Sequence, residues 1–141
     1  MGLYAPTPIQ AEAIPAVLKL TDVWATAPTG SGKTLAFALP LLQHLLAAPR
    51  QTNFRRPVRV LVLVPTRELA LQVRDHVNAL AAGTAVRAVA VVGGLAAQKQ
   101  ERLLRARPDI LVATPGRLAE LMGSPHCAPF LSMDLSTLQL L

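Results

Sequence analysis

Apolar positions along this chain follow two alternating rhythms. Val58-Arg59-Val60-Leu61-Val62-Leu63-Val64 is a nearly continuous apolar run, as expected of a strand covered on both faces of a sheet. Val86 to Val92 and Ile110 to Ala113 read the same way, and Val23-Trp24-Ala25-Thr26-Ala27, entered through Thr21-Asp22, reads as a short buried strand of small and β-branched residues. Between these runs the apolar spacing is helical: Pro8 to Leu18, Leu35 to Ala47, Glu68 to Ala82 closed by Gly83, Leu95 to Ala106, and Gly116 to Met122. Thr7 suits the N-cap of the first helix, with Pro8 in the first turn, where proline is tolerated. Pro40 interrupts the second helical pattern and predicts a kink or an early break. Strands alternating with helices predict an α/β fold: a parallel sheet with helices on both faces and ligands bound at the carboxyl ends of the strands. Arg50 to Pro57 is a polar, basic loop, and no internal repeat, low-complexity tract or interdomain linker is evident.

The 141 residues have the length of one domain, and 52% hydrophobic against 16% charged content implies a substantial core, which excludes a disordered tail. The longest apolar run, Leu35 to Ala48, is broken by Gln43 and His44 and is too short to span a bilayer, so a buried helix and no membrane association are expected. The single cysteine, Cys127, excludes an internal disulfide framework and fits a reducing intracellular setting, cytoplasmic or nuclear/nucleolar, with the compartment left open. His126 beside it reads as a loop residue, because no second Cys–His pair completes a metal set. A net charge of +6 suggests a polyanionic partner. The basic residues gather at Arg50, Arg55, Arg56 and Arg59 and again at Lys99, Arg102, Arg105 and Arg107, each group reading equally well as a solvated face.

Ala27-Pro28-Thr29-Gly30-Ser31-Gly32-Lys33-Thr34 lies between the strand-like Val23 to Ala27 and the helix-like Leu35 to Ala47. This is the setting of a loop that binds a nucleoside triphosphate. Small residues let backbone N–H groups curl round phosphate oxygens at a helix N-terminus, Lys33 reaches the β and γ phosphates, and Thr34 ligates Mg²⁺. The usual pattern opens with Gly, and here Ala27 stands in that place. Three further clusters follow predicted strands: Pro65-Thr66-Arg67, Gly93-Gly94 and Thr114-Pro115-Gly116-Arg117. Prolines and glycines there serve as plain strand stops or turns. They also let a nucleic-acid backbone approach closely. Arg67 and Arg117 either offer forked donors to phosphate or hold neighbouring loops by carboxylate pairing, and the sequence leaves both roles open.

Taken together these segments resemble the first RecA-like domain of DEAD-box RNA helicases, within helicase superfamily 2, over nearly the whole chain. Pro6-Thr7-Pro8-Ile9-Gln10 is similar to the family's Q motif, Ala27 to Thr34 to motif I, Pro65 to Ala70 to motif Ia, Gly93-Gly94 to the GG motif, and Thr114 to Arg117 to motif Ib. The resemblance implies a RecA-like P-loop fold, incomplete in this chain, with residues 1–141 a partial first RecA-like domain and no second one. It implies ATP and Mg²⁺ as cofactors. ATP would be held by Thr7, Gln10, Ala27, Pro28, Thr29, Gly30, Ser31, Gly32, Lys33 and Thr34, with Lys33 and Thr34 catalytic, Thr34 on the metal, and Gln10 on the adenine edge, where an amide matches an N6 donor and an N7 acceptor. It implies single-stranded RNA as partner, bound through its backbone with little sequence specificity along Pro65, Thr66, Arg67, Gly93, Gly94, Thr114, Pro115, Gly116 and Arg117. Protein partners are not implied.

The departures from the family pattern shape the expectation further. Leu138-Gln139-Leu140-Leu141 resembles the strand leading into the family's Asp-Glu-Ala-Asp motif, and that motif, the Ser-Ala-Thr motif, the arginine finger of the second domain and the upstream adenine-stacking aromatic are absent, Tyr4 being a different position. A fragment that binds better than it turns over is therefore expected, because hydrolysis needs a carboxylate-held Mg²⁺, an oriented water and an arginine. The resemblance also implies a slot of unpaired backbone and apolar surface, because the strands missing here lie centrally in the family's sheet. The competing reading is a stand-alone module that binds nucleotide or RNA without catalysis. A DNA helicase or a metabolic P-loop kinase is a third, and Pro65 to Ala70 with Thr114 to Arg117 argue against it.

Overall fold

The computed structural model describes residues 5–48, 58–129 and 131. The whole Arg50 to Pro57 loop, together with Tyr4 and Leu138 to Leu141, lies outside the described residues. The chain divides into two compact units, Met1–Ala48 and Pro49–Leu141.

In the first unit, helix α1 (Pro8–Leu18) packs against helix α2 (Lys33–Ala47). Thr7 stands extended at the N-cap of α1, and Pro8 follows with its φ already fixed at a helical value. Gln10, in the first turn, reaches back so that Thr7 N–H donates to Gln10 Oε1 at 3.0 Å, one half of a capping box. Helix α2 runs unbroken through the buried Pro40 for seven more residues, so the early break expected there does not occur. An interior proline costs about 3 kcal/mol. Burial of Leu41, Leu42 and Leu45 in the same helix offsets that cost, at about 1.5–3 kcal/mol for each large aliphatic side chain.

The strand expected over Val23 to Ala27 is also absent: among the described residues the segment joins no ladder, and Trp24 is 98% exposed. Five residues of suitable composition do not make a strand by themselves. Without a paired neighbour no side-chain pairs across strands add stability.

The second unit holds strands β1 (Val60–Leu63), β2 (Ala88–Val91) and β3 (Ile110–Ala113) and helices α3 (Arg67–Leu80), α4 (Ala97–Arg105) and α5 (Pro115–Met122). The strands form a parallel sheet in the order β1-β3-β2, with Leu63 and Val91 both level with Ala113. The central β3 is buried at all four positions, which is why its sequence is uninterruptedly apolar. Successive side chains point to opposite faces. Leu61, Val91, Leu111 and Ala113 share one cluster with Leu104 of α4 and with Leu118 and Leu121 of α5. The alternate residues Val60, Ala88, Ala90, Ile110 and Val112 are buried on the other face, and α3 lies against β2 and β3 with Ala70, Val73 and Val77 buried. Helices thus cover both faces of the sheet.

Two side chains finish the sheet where backbone pairing stops. Asp109, buried just ahead of β3, accepts Arg87 N–H on Oδ2 at 3.1 Å and so ties the start of β2 to that of β3. Asn78 of α3 donates to Ala88 O and accepts Ala88 N–H, both at 3.0 Å, as a neighbouring strand would.

Candidate functional site

Ala27 to Thr34 reaches the start of α2 through a turn closed by Ser31 N–H on Pro28 O at 3.2 Å. Gly32 caps α2 in a left-handed conformation, φ +93°, and this sets Lys33 and Thr34 in the first helical turn, where backbone N–H groups have no partner within the helix. Pro28, Thr29 and Gly30 are exposed, and Ala27, Ser31 and Thr34 are half-buried. The exposed Lys33 folds its ammonium over the loop, donating to Ala27 O and, at 2.8 Å, to Pro28 O.

The Thr7–Gln10 turn meets this loop at Gly32. Gln10 Nε2 donates to Gly32 O at 3.3 Å, and a Cβ added at Gly32 would fall on Gln10 Nε2 and lie 3.1 Å from Thr7 Oγ1. Glycine is needed here for space as well as for its φ. Gln10 is buried, yet each end of its amide keeps capacity for one more hydrogen bond. Thr7 Oγ1 and Ser31 Oγ are buried, with no hydrogen-bond partner among the described residues. A lysine ammonium, helix-start N–H groups and two unsatisfied hydroxyls can together hold an anionic ligand rich in oxygen.

The three remaining clusters leave the sheet at one end, because β1, β2 and β3 are parallel and in register. Thr66 caps α3, its Oγ1 accepting Leu69 N–H at 3.2 Å, and Thr114 precedes Pro115 at the start of α5. Arg67 is exposed and rests its guanidinium against Gly94, whose φ is +77°, so that a Cβ there would collide with it. Among the described residues the Arg67 guanidinium has no hydrogen bond or ion pair.

Arg117 differs. It donates from Nε to Gln100 Oε1 at 3.3 Å, from Nη2 to Leu95 O at 3.3 Å and from Nη1 to Glu120 Oε2 at 2.6 Å. In this structure Arg117 holds its neighbours with three of its five N–H donors. Its partners are an amide and a carbonyl as well as the expected carboxylate. Gln100, fully buried, went unnoticed in the sequence. Its signal was a polar residue in the core-facing stripe of α4, one turn before the buried Leu104.

Cys127 is free and buried in the core cluster, with His126 exposed beside it. Among the described residues no group of His, Cys, Asp and Glu could hold a metal, and no helix is long and apolar enough to cross a membrane. In the second basic group, Arg105 pairs with Glu101 one turn away at 2.6 Å.

Comparison with known proteins agrees with this arrangement. The DEAD/DEAH box helicase family model matches residues 7–140. The chain is 46% identical over 141 residues to DEAD-box ATP-dependent RNA helicase 28 of Arabidopsis thaliana and 49% identical over 142 residues to the probable ATP-dependent RNA helicase DDX27 of Homo sapiens. In each case all of this chain is covered, and it spans 17% of the relative's length. Among solved structures, a hypothetical ATP-dependent RNA helicase from Sulfolobus tokodaii superposes with a TM-score of 0.78 at 34% identity, covering 98% of this chain and 36% of that one. With a parallel sheet that gathers three strand-end clusters, a glycine-capped loop from Ala27 to Thr34 and a match from residue 7 to residue 140, the chain belongs to the DEAD/DEAH box helicase family.

Proposed function

We propose that this chain is the ATP- and RNA-binding part of an ATP-dependent RNA helicase that locally unwinds or remodels RNA. The observation that carries the reading is the gathering of Pro65–Arg67, Gly93–Gly94 and Thr114–Arg117 at one end of a parallel sheet, where backbone N–H groups and Arg67 can meet phosphates and sugars. ATP binds at Ala27 to Thr34. Lys33 exchanges the carbonyls of Ala27 and Pro28 for phosphate oxygens, gaining charge-assisted bonds in place of neutral ones. Thr34 lends its hydroxyl to Mg²⁺, and Gln10 uses the free capacity of its amide on the adenine edge, with Thr7 beside it. Bound ATP–Mg²⁺ supplies the phosphoryl group whose transfer to water resets the protein, and the chain's own residues bind and orient it.

Such a site reads a backbone and not a sequence. In the full-length protein with a non-hydrolysable ATP analogue, single-stranded RNAs of unrelated sequence are expected to bind with similar affinity, and affinity is expected to fall with salt at a slope of about −0.7 per phosphate contact. A fluorescence titration of several RNAs at two salt concentrations checks this. Strong preference for one sequence, or no salt dependence, would sink the backbone-contact reading. RNA-stimulated ATP hydrolysis by the full-length protein separates a helicase from a module that only binds.

A further inference from the structure

We infer that Gln100 is a positioning residue for RNA binding: its buried carboxamide locks the Gly93–Gly94 loop to Arg117 and so fixes the shape in which that loop meets RNA. The inference rests on the RNA reading above and deepens it. Gln100 is fully buried, and its two Nε2 hydrogens go to Val92 O at 2.7 Å and Leu95 O at 3.2 Å. Those two carbonyls bracket the glycine pair, so a single amide group spans the loop from one flank to the other.

Its Oε1 accepts Arg117 Nε, and Arg117 Nη2 donates to the same Leu95 O, which thereby receives two donors and has both lone pairs engaged. With Nη1 on Glu120, three of the five guanidinium N–H donors are engaged, and the Arg117 side chain is only 17% exposed. Removing the guanidinium would leave Gln100 Oε1 buried without a partner among the described residues. Gly94 carries the guanidinium of Arg67 against it, so the position of the loop also sets the position of Arg67. A leucine at position 100 would fill the core-facing stripe of α4 equally well. The amide is there for geometry.

The test uses the full-length protein and fluorescein-labelled single-stranded RNA with a non-hydrolysable ATP analogue. Gln100→Leu is expected to weaken RNA binding about tenfold, the size of losing a buried hydrogen-bonded polar group, and to raise the RNA concentration for half-maximal ATPase more than it lowers kcat. Affinity for the ATP analogue is expected to move less than about twofold, whereas a general loss of structure would weaken both ligands together. Arg117→Met is expected to weaken RNA binding similarly and to speed amide hydrogen exchange at residues 93–97 selectively. This variant carries the test alone if Gln100→Leu does not fold. Unchanged hydrogen exchange at residues 93–97 in Arg117→Met, or full RNA affinity in a folded Gln100→Leu protein, overturns the inference. Unmutated protein that fails to bind RNA overturns the helicase reading and this inference with it.

Discussion

Lys33 and Arg117 are both cations beside loops suited to phosphates, and the structure treats them in opposite ways. Lys33 is exposed and held only by carbonyl oxygens of its own loop, Ala27 O and Pro28 O. Arg117 is largely enclosed and engaged at all three guanidinium nitrogens by Gln100, Leu95 and Glu120. The contrast extends to their surroundings. Around Lys33 stand buried hydroxyls with no partner among the described residues, while around Arg117 a buried amide is satisfied at both ends. A loop whose donors are loosely held can exchange them for a ligand's oxygens. A loop whose frame is already tied offers its backbone in a fixed shape and loses less conformational entropy on binding.

The sharpest way to break this comparison is Lys33→Ala. It is expected to lower ATP affinity about a hundredfold, since a charge-assisted interaction with phosphate is lost, and to leave the thermal midpoint unchanged, because no buried partner is orphaned. Fluorescent-nucleotide titration and a melting curve decide it, and an unchanged ATP affinity would remove Lys33 from the phosphate site. Next in size is Gly94→Val. A β-branched residue at φ +77°, pressed on Arg67, is expected to weaken RNA binding about tenfold with ATP affinity kept, which parallel titrations of the two ligands measure. The smallest effect is expected of Gln10→Ala. ATP is expected to compete better than GTP in the unmutated protein, and the variant to narrow that gap about fivefold, as the loss of one or two neutral hydrogen bonds dictates. Equal competition by GTP before mutation counts against adenine reading by Gln10.

The elements most legible in the sequence were those whose neighbours are also regular. Ile110–Ala113 and Pro8–Leu18 carry the bounds the pattern predicted, the first because a central strand is apolar at every position, the second because Thr7 and Pro8 mark its start chemically. Val58 to Val64 proved longer as an apolar run than as a strand, since both of its ends are buried outside β1 itself. Val23 to Ala27 shows the opposite failure: composition describes what a strand would bury, and only a paired edge makes it one. The Ala27 to Thr34 turn onto α2 was readable because its small residues and lysine are local in sequence. The frame behind Gly93–Gly94 was not, because it joins residues 92, 95, 100, 117 and 120, and nothing in the strings around Arg67 and Arg117 tells a free guanidinium from an enclosed one.

Asn78 gives the sheet a direction of growth. With Ala88 N–H and C=O both taken by one side-chain amide, the outer margin of β2 cannot template another chain there, and added strands are turned away as they are by the blunted margins of many soluble sheets. The outer margin of β1 has no ladder partner among the described residues, and Leu63 is 47% exposed. Any strand that extends this sheet, whether from the same polypeptide during folding or from a second molecule at high concentration, is therefore recruited from one side only.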